Sequence, residues 1–175
     1  MAYWFTSDTH FYHKNIVDYS DRPFKSVEHM NEVLINNWNS VVKPGDTVYH
    51  LGDFGSSSKN ASINARLNGT IIHIQGNHDK SSDTILKDAV IEIGGHHWHL
   101  VHDPQDANGE YNLVGHVHKS WKSTRIISGK KFVGWAINVG VDQWHYKPIQ
   151  ITAILKELEH LKANNDANIP SVTKL

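Results

Sequence analysis

Cysteine is absent from this chain, so disulfides and thiolate metal sites are both excluded. No apolar run approaches the roughly 20 residues that a bilayer-spanning helix needs. The opening stretch, Met1 to Asp8, has neither a basic segment nor an apolar core, so no secretory leader is expected and the sequence reads as cytoplasmic. Charge of one sign is lacking too: 17 Lys and Arg face 18 Asp and Glu, a formal net charge of -1 with His neutral. No basic run stands out, so a broad phosphate-backbone footprint is not visible, and neither a membrane nor a stable nucleic-acid partner is expected. Linkers, internal repeats and low-complexity blocks are missing as well.

What is present suits a folded domain. The 175 residues, 39% hydrophobic and 20% charged, can bury a core without staples. Tyr3 to Ser7 reads as a buried strand ending in Asp8, and His10 to Phe24 as a loop. Ser26 reads as an N-cap, followed by Met30, Val33, Leu34 and Trp38 at helical spacing, which predicts a helix to about Asn39. Lys43-Pro44-Gly45-Asp46 is turn chemistry before a strand at Thr47 to Leu51. A short helix from Asn60 to Leu67 precedes a β-branched strand at Thr70 to Ile74. Val90 to Ile93 and His97 to Val101 form a hairpin about Gly94-Gly95, and Tyr111 to Val114 is a further strand. Trp121 to Ile127 and Lys131 to Val139 form a second hairpin, turning at Ser128-Gly129. Pro148 introduces a helix from Ile149 to Lys162, with Ile151, Ile154, Leu155, Leu158 and Leu161 on one face. The expected architecture is α/β, a layered β-sandwich of two mixed sheets flanked by helices. It fills residues 1–163, and residues 164–175 form a loose tail.

The histidines, 14 in all, prove nothing by number; their placement does. Strand after strand ends in residues that ligate metals: Asp8-Thr9-His10, Gly52-Asp53, Gly76-Asn77-His78-Asp79, His102, and Gly115-His116-Val117-His118. In α/β sheets ligands gather outside the carboxyl ends of strands, so these groups can share one crevice. Side chains two apart on an extended backbone point the same way, which would let Asp8 and His10 grip one ion, and His116 and His118 likewise. The Gly before Asp53, Asn77 and His116 lets the backbone approach an ion or a phosphate. Carboxylate, imidazole and amide oxygen without sulfur suit Mn²⁺, Fe or Zn²⁺. His13, Asn15 and Arg22, in the loop after the first motif, are candidates to line a substrate pocket, with a solvated loop and a structural Arg-Pro turn as the equal alternative. His29, His73, His145 and His160 read as structural or surface residues, and Trp98, Trp121, Trp135 and Trp144 as packing.

This series resembles the calcineurin-like metallophosphoesterase superfamily, over residues 4 to about 142. The surrounding wording, Trp4 to Phe11, Lys43 to Thr47 and Asn138 to Asp142, is similar to small bacterial and phage members. The resemblance implies two divalent transition-metal ions, Mn first, with Fe, Zn or Ni as alternatives. One is held by Asp8, His10, Asp53 and His118, the other by Asp53, Asn77, His102 and His116, with Asp53 as bridge. It implies that His78 is not a ligand but contacts the phosphate and protonates the leaving oxygen, and that Asp79 orients it. A metal-bridging hydroxide would then attack phosphorus in line, on a small phosphorylated or nucleotide substrate, a phosphodiester first. His102 is taken over His96, His97 and His99 because it stands at the strand end, before Asp103-Pro104.

Two departures bear on specificity. Tyr12 stands where related sequences often have Gly, which predicts a narrower pocket. The Arg that follows the Gly-Asp motif in protein Ser/Thr phosphatases is missing from Gly52-Asp53-Phe54-Gly55-Ser56. A nuclease and a catalytically inactive metal-binding scaffold are the competing readings. The absent basic stripe weighs against the first, and competent residues at every ligand position weigh against the second.

Overall fold

Short apolar and β-branched runs bounded by Gly, Pro, Asn and Asp form ten strands among the described residues. The computed structural model describes residues 1–80, 86–164 and 171–174. In chain order the elements are β1 (Tyr3–Thr6), α1 (Ile16–Tyr19), α2 (Val27–Val41), β2 (Thr47–Leu51), α3 (Ser57–Asn64) and β3 (Thr70–Ile74). Then come β4 (Asp88–Ile93), β5 (His96–Val101), β6 (Tyr111–Val114), β7 (Ser123–Ser128) and β8 (Lys131–Asn138). The chain closes with β9 (Ile149–Gln150), α4 (Ile151–Ala163) and β10 (Ser171–Lys174). Two sheets result, a four-stranded one in the order β3-β2-β1-β9 and a six-stranded one in the order β10-β7-β8-β6-β5-β4. Both are mixed and helices flank them, the α/β sandwich that the sequence predicts.

The topology explains why the polar strand ends meet. β1, β2 and β3 run parallel, so their carboxyl ends share one edge. β5, β6 and β8 run parallel in the other sheet and share an edge of their own. Ser7 and Gly140 then pair in a parallel bridge, with Val141 N–H donating to the Ser7 carbonyl at 3.1 Å, which brings the two edges together.

Three apolar clusters fill the layers. Phe5, Leu51 and Ile74 of the small sheet face Trp98, Leu100, Leu113 and Ile137 of the large one, with Ile154, Leu158 and Leu161 of α4 closing that core. On the far side of the small sheet, Val48 packs against Met30, Leu34, Ile35 and Trp38 of α2. A smaller cluster holds Val101, Val114, Ile126 and Ala136. The fully buried aromatic and aliphatic side chains are the main source of stability, each contributing about 1.5–3 kcal/mol. The Ser26 hydroxyl caps α2 by accepting from His29 N–H at 3.2 Å, as its sequence predicts.

Several boundaries differ from the sequence reading. The loop from His10 to Phe24 contains α1, a four-residue turn too short to leave a period. The short helix lies at Ser57–Asn64, upstream of Asn60 to Leu67. Ile149 and Gln150 form an antiparallel strand with Phe5 and Trp4 before the last helix begins. In the predicted loose tail, Ser171–Lys174 pairs parallel with β7, and Val172 packs on the small cluster. No helix among the described residues is long and apolar enough to cross a membrane.

Candidate metal centre

Asp8 follows β1, Asp53 follows β2, Asn77 follows β3, His102 follows β5, and His116 and His118 follow β6. At this shared edge the structure brings all of them together with His10. The Asp53 Oδ2 lies 3.4 Å from His10 Nε2 on one side and 3.4 Å from His102 Nε2 on the other. His118 Nε2 lies 3.9 Å from Asp8 Oδ1. On the far side Asn77 Oδ1 sits 2.9 Å from His102 Nε2 and 3.0 Å from His116 Nδ1. Ligand atoms of Asp8, His10 and His118 lie within 4.8 Å of one another, and so do those of Asp8, Asp53 and His102. Asp8, His10, Asp53 and His102 are buried, whereas Asn77 and His78 face solvent. The result is a cup with a sealed floor and an open mouth.

The pairs converge for a reason other than the expected one. Asp8, His10, Asp53, His116 and His118 all have positive φ, between 45° and 69°, so none sits on extended backbone. Left-handed backbone costs an L-residue roughly 1–2 kcal/mol. Here it re-aims each side chain, and it sends His116 and His118 to opposite sides of the cup instead of to one ion. Tyr12 shares the conformation, with φ 63°, which is why a Gly there would be at ease. Two glycines meet a steric demand. A Cβ on Gly76 would overlap the backbone nitrogen and carboxylate of Asp53, and one on Gly115 would overlap the Ser7 hydroxyl and the Asp8 carboxylate.

The two carboxylates diverge electrostatically. Complete burial raises the Asp8 carboxyl, against the opposing pull of His102, His118 and the Ser7 hydroxyl. Burial would raise Asp53 as well, but the hydrogen bond and charge of His102, the charge of His10 and the His78 N–H hold it below the usual carboxylate range. Burial drives His10 down to about 2, outweighing the attraction of Asp53. His102 is also penalised by burial, yet the hydrogen bond it donates to Asp53 and the charges of Asp8 and Asp53 lift it to about 9.

Other expected site residues take different places. His13 lies beside the cup, its Nδ1 3.0 Å from His10 Nδ1, and burial together with the charge of His78 lowers its pKa. His13, Asn15 and His78 line a groove of about 450 Å³ with His10, Tyr12 and Tyr19. His78 is anchored by its N–H to Asp53 Oδ1 at 2.8 Å, and its ring lies 5.4 Å from that of His10. Arg22 does not reach the groove: it is buried and spends its donors on Asp142, Asp8 and Thr9. Asp79 accepts backbone N–H bonds from Asp53, Phe54 and Gly76 at 2.7, 3.1 and 2.9 Å. It is thus a clamp joining the ends of β2 and β3, not an orienter of the His78 ring. The sequence reading missed Asp142, whose Oδ2 accepts from His118 Nδ1 at 3.0 Å, although it closes one of the stretches that carry the family resemblance.

The donor set fits divalent cations. His10 Nε2 is buried with no hydrogen-bond partner and faces Asp53, an orphan that a cation would satisfy. Carboxylate, imidazole and amide oxygens are the ligands of hard to borderline transition metals.

No protein-family model matches the chain. It is 40% identical over 170 residues to the uncharacterized protein MJ1445 of Methanocaldococcus jannaschii, covering 93% of this chain and 94% of that one. A stretch of 62 residues is 40% identical to the Gene 66 protein of Mycobacterium phage L5, covering 35% of this chain and 30% of that protein. Among solved structures, a protein of unknown function from Aquifex aeolicus, AQ665, superposes with a TM-score of 0.66 at 28% identity, over 89% of this chain and 98% of that one. The chain belongs to the family of the archaeal protein.

Proposed function

We propose that this protein is a dinuclear-metal phosphoesterase that hydrolyses a small phosphate ester, a phosphodiester of nucleotide type first. The observation that carries the reading is the Asp53 carboxylate, whose Oδ2 lies 3.4 Å from an imidazole nitrogen on each side, the position a bridging ligand needs. Asp8, His10 and His118 would complete one cation site with Asp53, and Asn77, His102 and His116 the other. When bound, two cations supply Lewis acidity to the phosphoryl oxygens and acidify a water. Mn is the first candidate, with Fe, Zn or Ni as alternatives.

The chain's own groups supply the rest. His78 stands at the mouth, its backbone N–H tied to Asp53 Oδ1, and its exposed imidazole would give a proton to the leaving oxygen. The groove beside it, with His13, Asn15, Tyr12 and Tyr19, takes the leaving group. A groove of about 360 Å³ on the Asn77 side carries Asp79, Asp103 and Asp106 against Lys87 and is a poorer host for an anion. The lack of a basic stripe suits hydrolysis of a small ester better than work on a nucleic acid.

The test is hydrolysis of bis-p-nitrophenyl phosphate beside p-nitrophenyl phosphate, after chelation and re-addition of Mn²⁺. Turnover restored by Mn²⁺ and abolished in Asp53→Asn is expected, with the diester faster. Turnover that survives chelation, or persists in Asp53→Asn, would refute the reading.

A further inference from the structure

Arg22 and Asp142 form an ion pair whose side chains are both fully buried, and it lies directly behind the metal centre. Arg22 grips the carboxylate with two parallel bonds, Nε to Oδ1 at 3.0 Å and Nη2 to Oδ2 at 2.8 Å. The same guanidinium donates from Nη2 to the Asp8 carbonyl at 2.6 Å and from Nη1 to the Thr9 carbonyl at 3.1 Å. It therefore holds the turn in which Asp8 and His10 adopt left-handed backbone, with φ 57° and 51°. Asp142 in turn accepts from His118 Nδ1 at 3.0 Å. A carboxylate can only accept, so Nδ1 carries the proton and the Nε2 lone pair is left facing Asp8. One guanidinium thus sets both the Asp8–His10 turn and, through Asp142, the ring of His118.

The opposite side is held more weakly: behind His116 the Asp103 carboxylate is half-exposed and 4.0 Å from Nε2, too long for a hydrogen bond. His102 Nδ1 rests 2.7 Å from the neutral Leu51 carbonyl. A carboxylate behind a ligating imidazole raises its basicity and fixes its orientation more strongly than a backbone carbonyl does. Arg22 is suited to this work, since its planar fork satisfies four acceptors at once and a lysine could not. Such a buried pair is weak evidence for stability, because desolvation offsets most of its attraction. Its value lies in placement.

We propose that Arg22 and Asp142 are positioning residues for the cation site formed by Asp8, His10 and His118, and that they make it the tighter of two unequal sites. The inference rests on the two-cation reading of the centre. It predicts sequential loading, with the Asp8 side filled first and the Asn77 side second.

The test is calorimetric titration of metal-free full-length protein with Mn²⁺. Wild type should show two steps. In Asp142→Asn, nearly the same shape but without the charge, the tighter step should weaken on the order of 10- to 100-fold while the weaker step stays put. Arg22→Lys should weaken the same step, and Asn77→Ala the other. A simple packing defect would not single out one step, and circular dichroism with a thermal melt shows that each variant is folded. If Asp142→Asn does not fold, Arg22→Lys carries the test alone. Tight-step affinity unchanged in a folded variant, or equal loss in both steps, would overturn the proposal. A wild type that binds fewer than two Mn²⁺ would instead overturn the two-cation reading beneath it.

Discussion

At the scale of single residues, the side chains divide by what surrounds them. His78 faces solvent at the mouth of the cup and makes no side-chain bond to the ligand set, so its removal should spare the metals. His78→Ala is expected to lower kcat by roughly 10²- to 10⁴-fold with metal content unchanged. Steady-state kinetics beside elemental analysis checks this, and metal loss from the folded variant would make His78 a ligand after all. His50 illustrates the opposite case. It is fully buried, and the Thr9 hydroxyl donates to the Phe54 carbonyl, so it accepts from His50 Nε2 at 2.9 Å and leaves Nδ1 without a partner. Burial, reinforced by His73, drives His50 well below its ordinary value of 6.5. The unfolded chain therefore binds a proton below pH 6.5 that the native state refuses, and stability falls as pH falls from there. The slope of unfolding free energy against pH below 6.5 should be shallower in His50→Gln than in wild type, by up to about 1.4 kcal/mol per pH unit. Parallel pH profiles would assign the acid sensitivity elsewhere. Motif residues such as Asp8, Asp53 and Asn77 were legible in sequence because few other roles put such groups after an apolar strand. Arg22 was left between a pocket and a structural role, and Asp79 was given the His78 ring, because sequence shows a donor or an acceptor but not which backbone it will meet.

Between residue and molecule, the elements contribute their ends. The strands were legible from short apolar and β-branched runs and their hairpin glycines, and the cap of α2 from Ser26. The four residues of α1, the two of β9 and the pairing of β10 were not, since a short element has no period and a polar strand's partner is set by tertiary context. Extended geometry was the wrong reason for the clustering of Asp8 with His10. The left-handed turns at the strand ends do that work, and sequence marks them only through adjacent glycines. At Gly76, just past the end of β3, a Cβ would overlap the backbone nitrogen and carboxylate of Asp53. Gly76→Ala should push β3 from the Asp53 backbone, cost about 1–3 kcal/mol in denaturant unfolding and weaken Mn²⁺ binding. Unaltered stability and metal affinity would mean that the strand ends have slack the structure does not suggest.

The whole molecule is a device for bringing two parallel strand triplets edge to edge. Order along the chain suggested two sheets, but not the Ser7–Gly140 bridge that brings their carboxyl ends into one cup. That convergence turns scattered motifs into a centre, and its test is direct. Crystals grown from metal-free protein and soaked in Mn²⁺ should show two anomalous scattering peaks about 3.5–4 Å apart, flanking the Asp53 carboxylate. One peak should lie by Asp8, His10 and His118, the other by Asn77, His102 and His116. A single peak at full occupancy of the soak, or two peaks that do not share Asp53, would contradict the account.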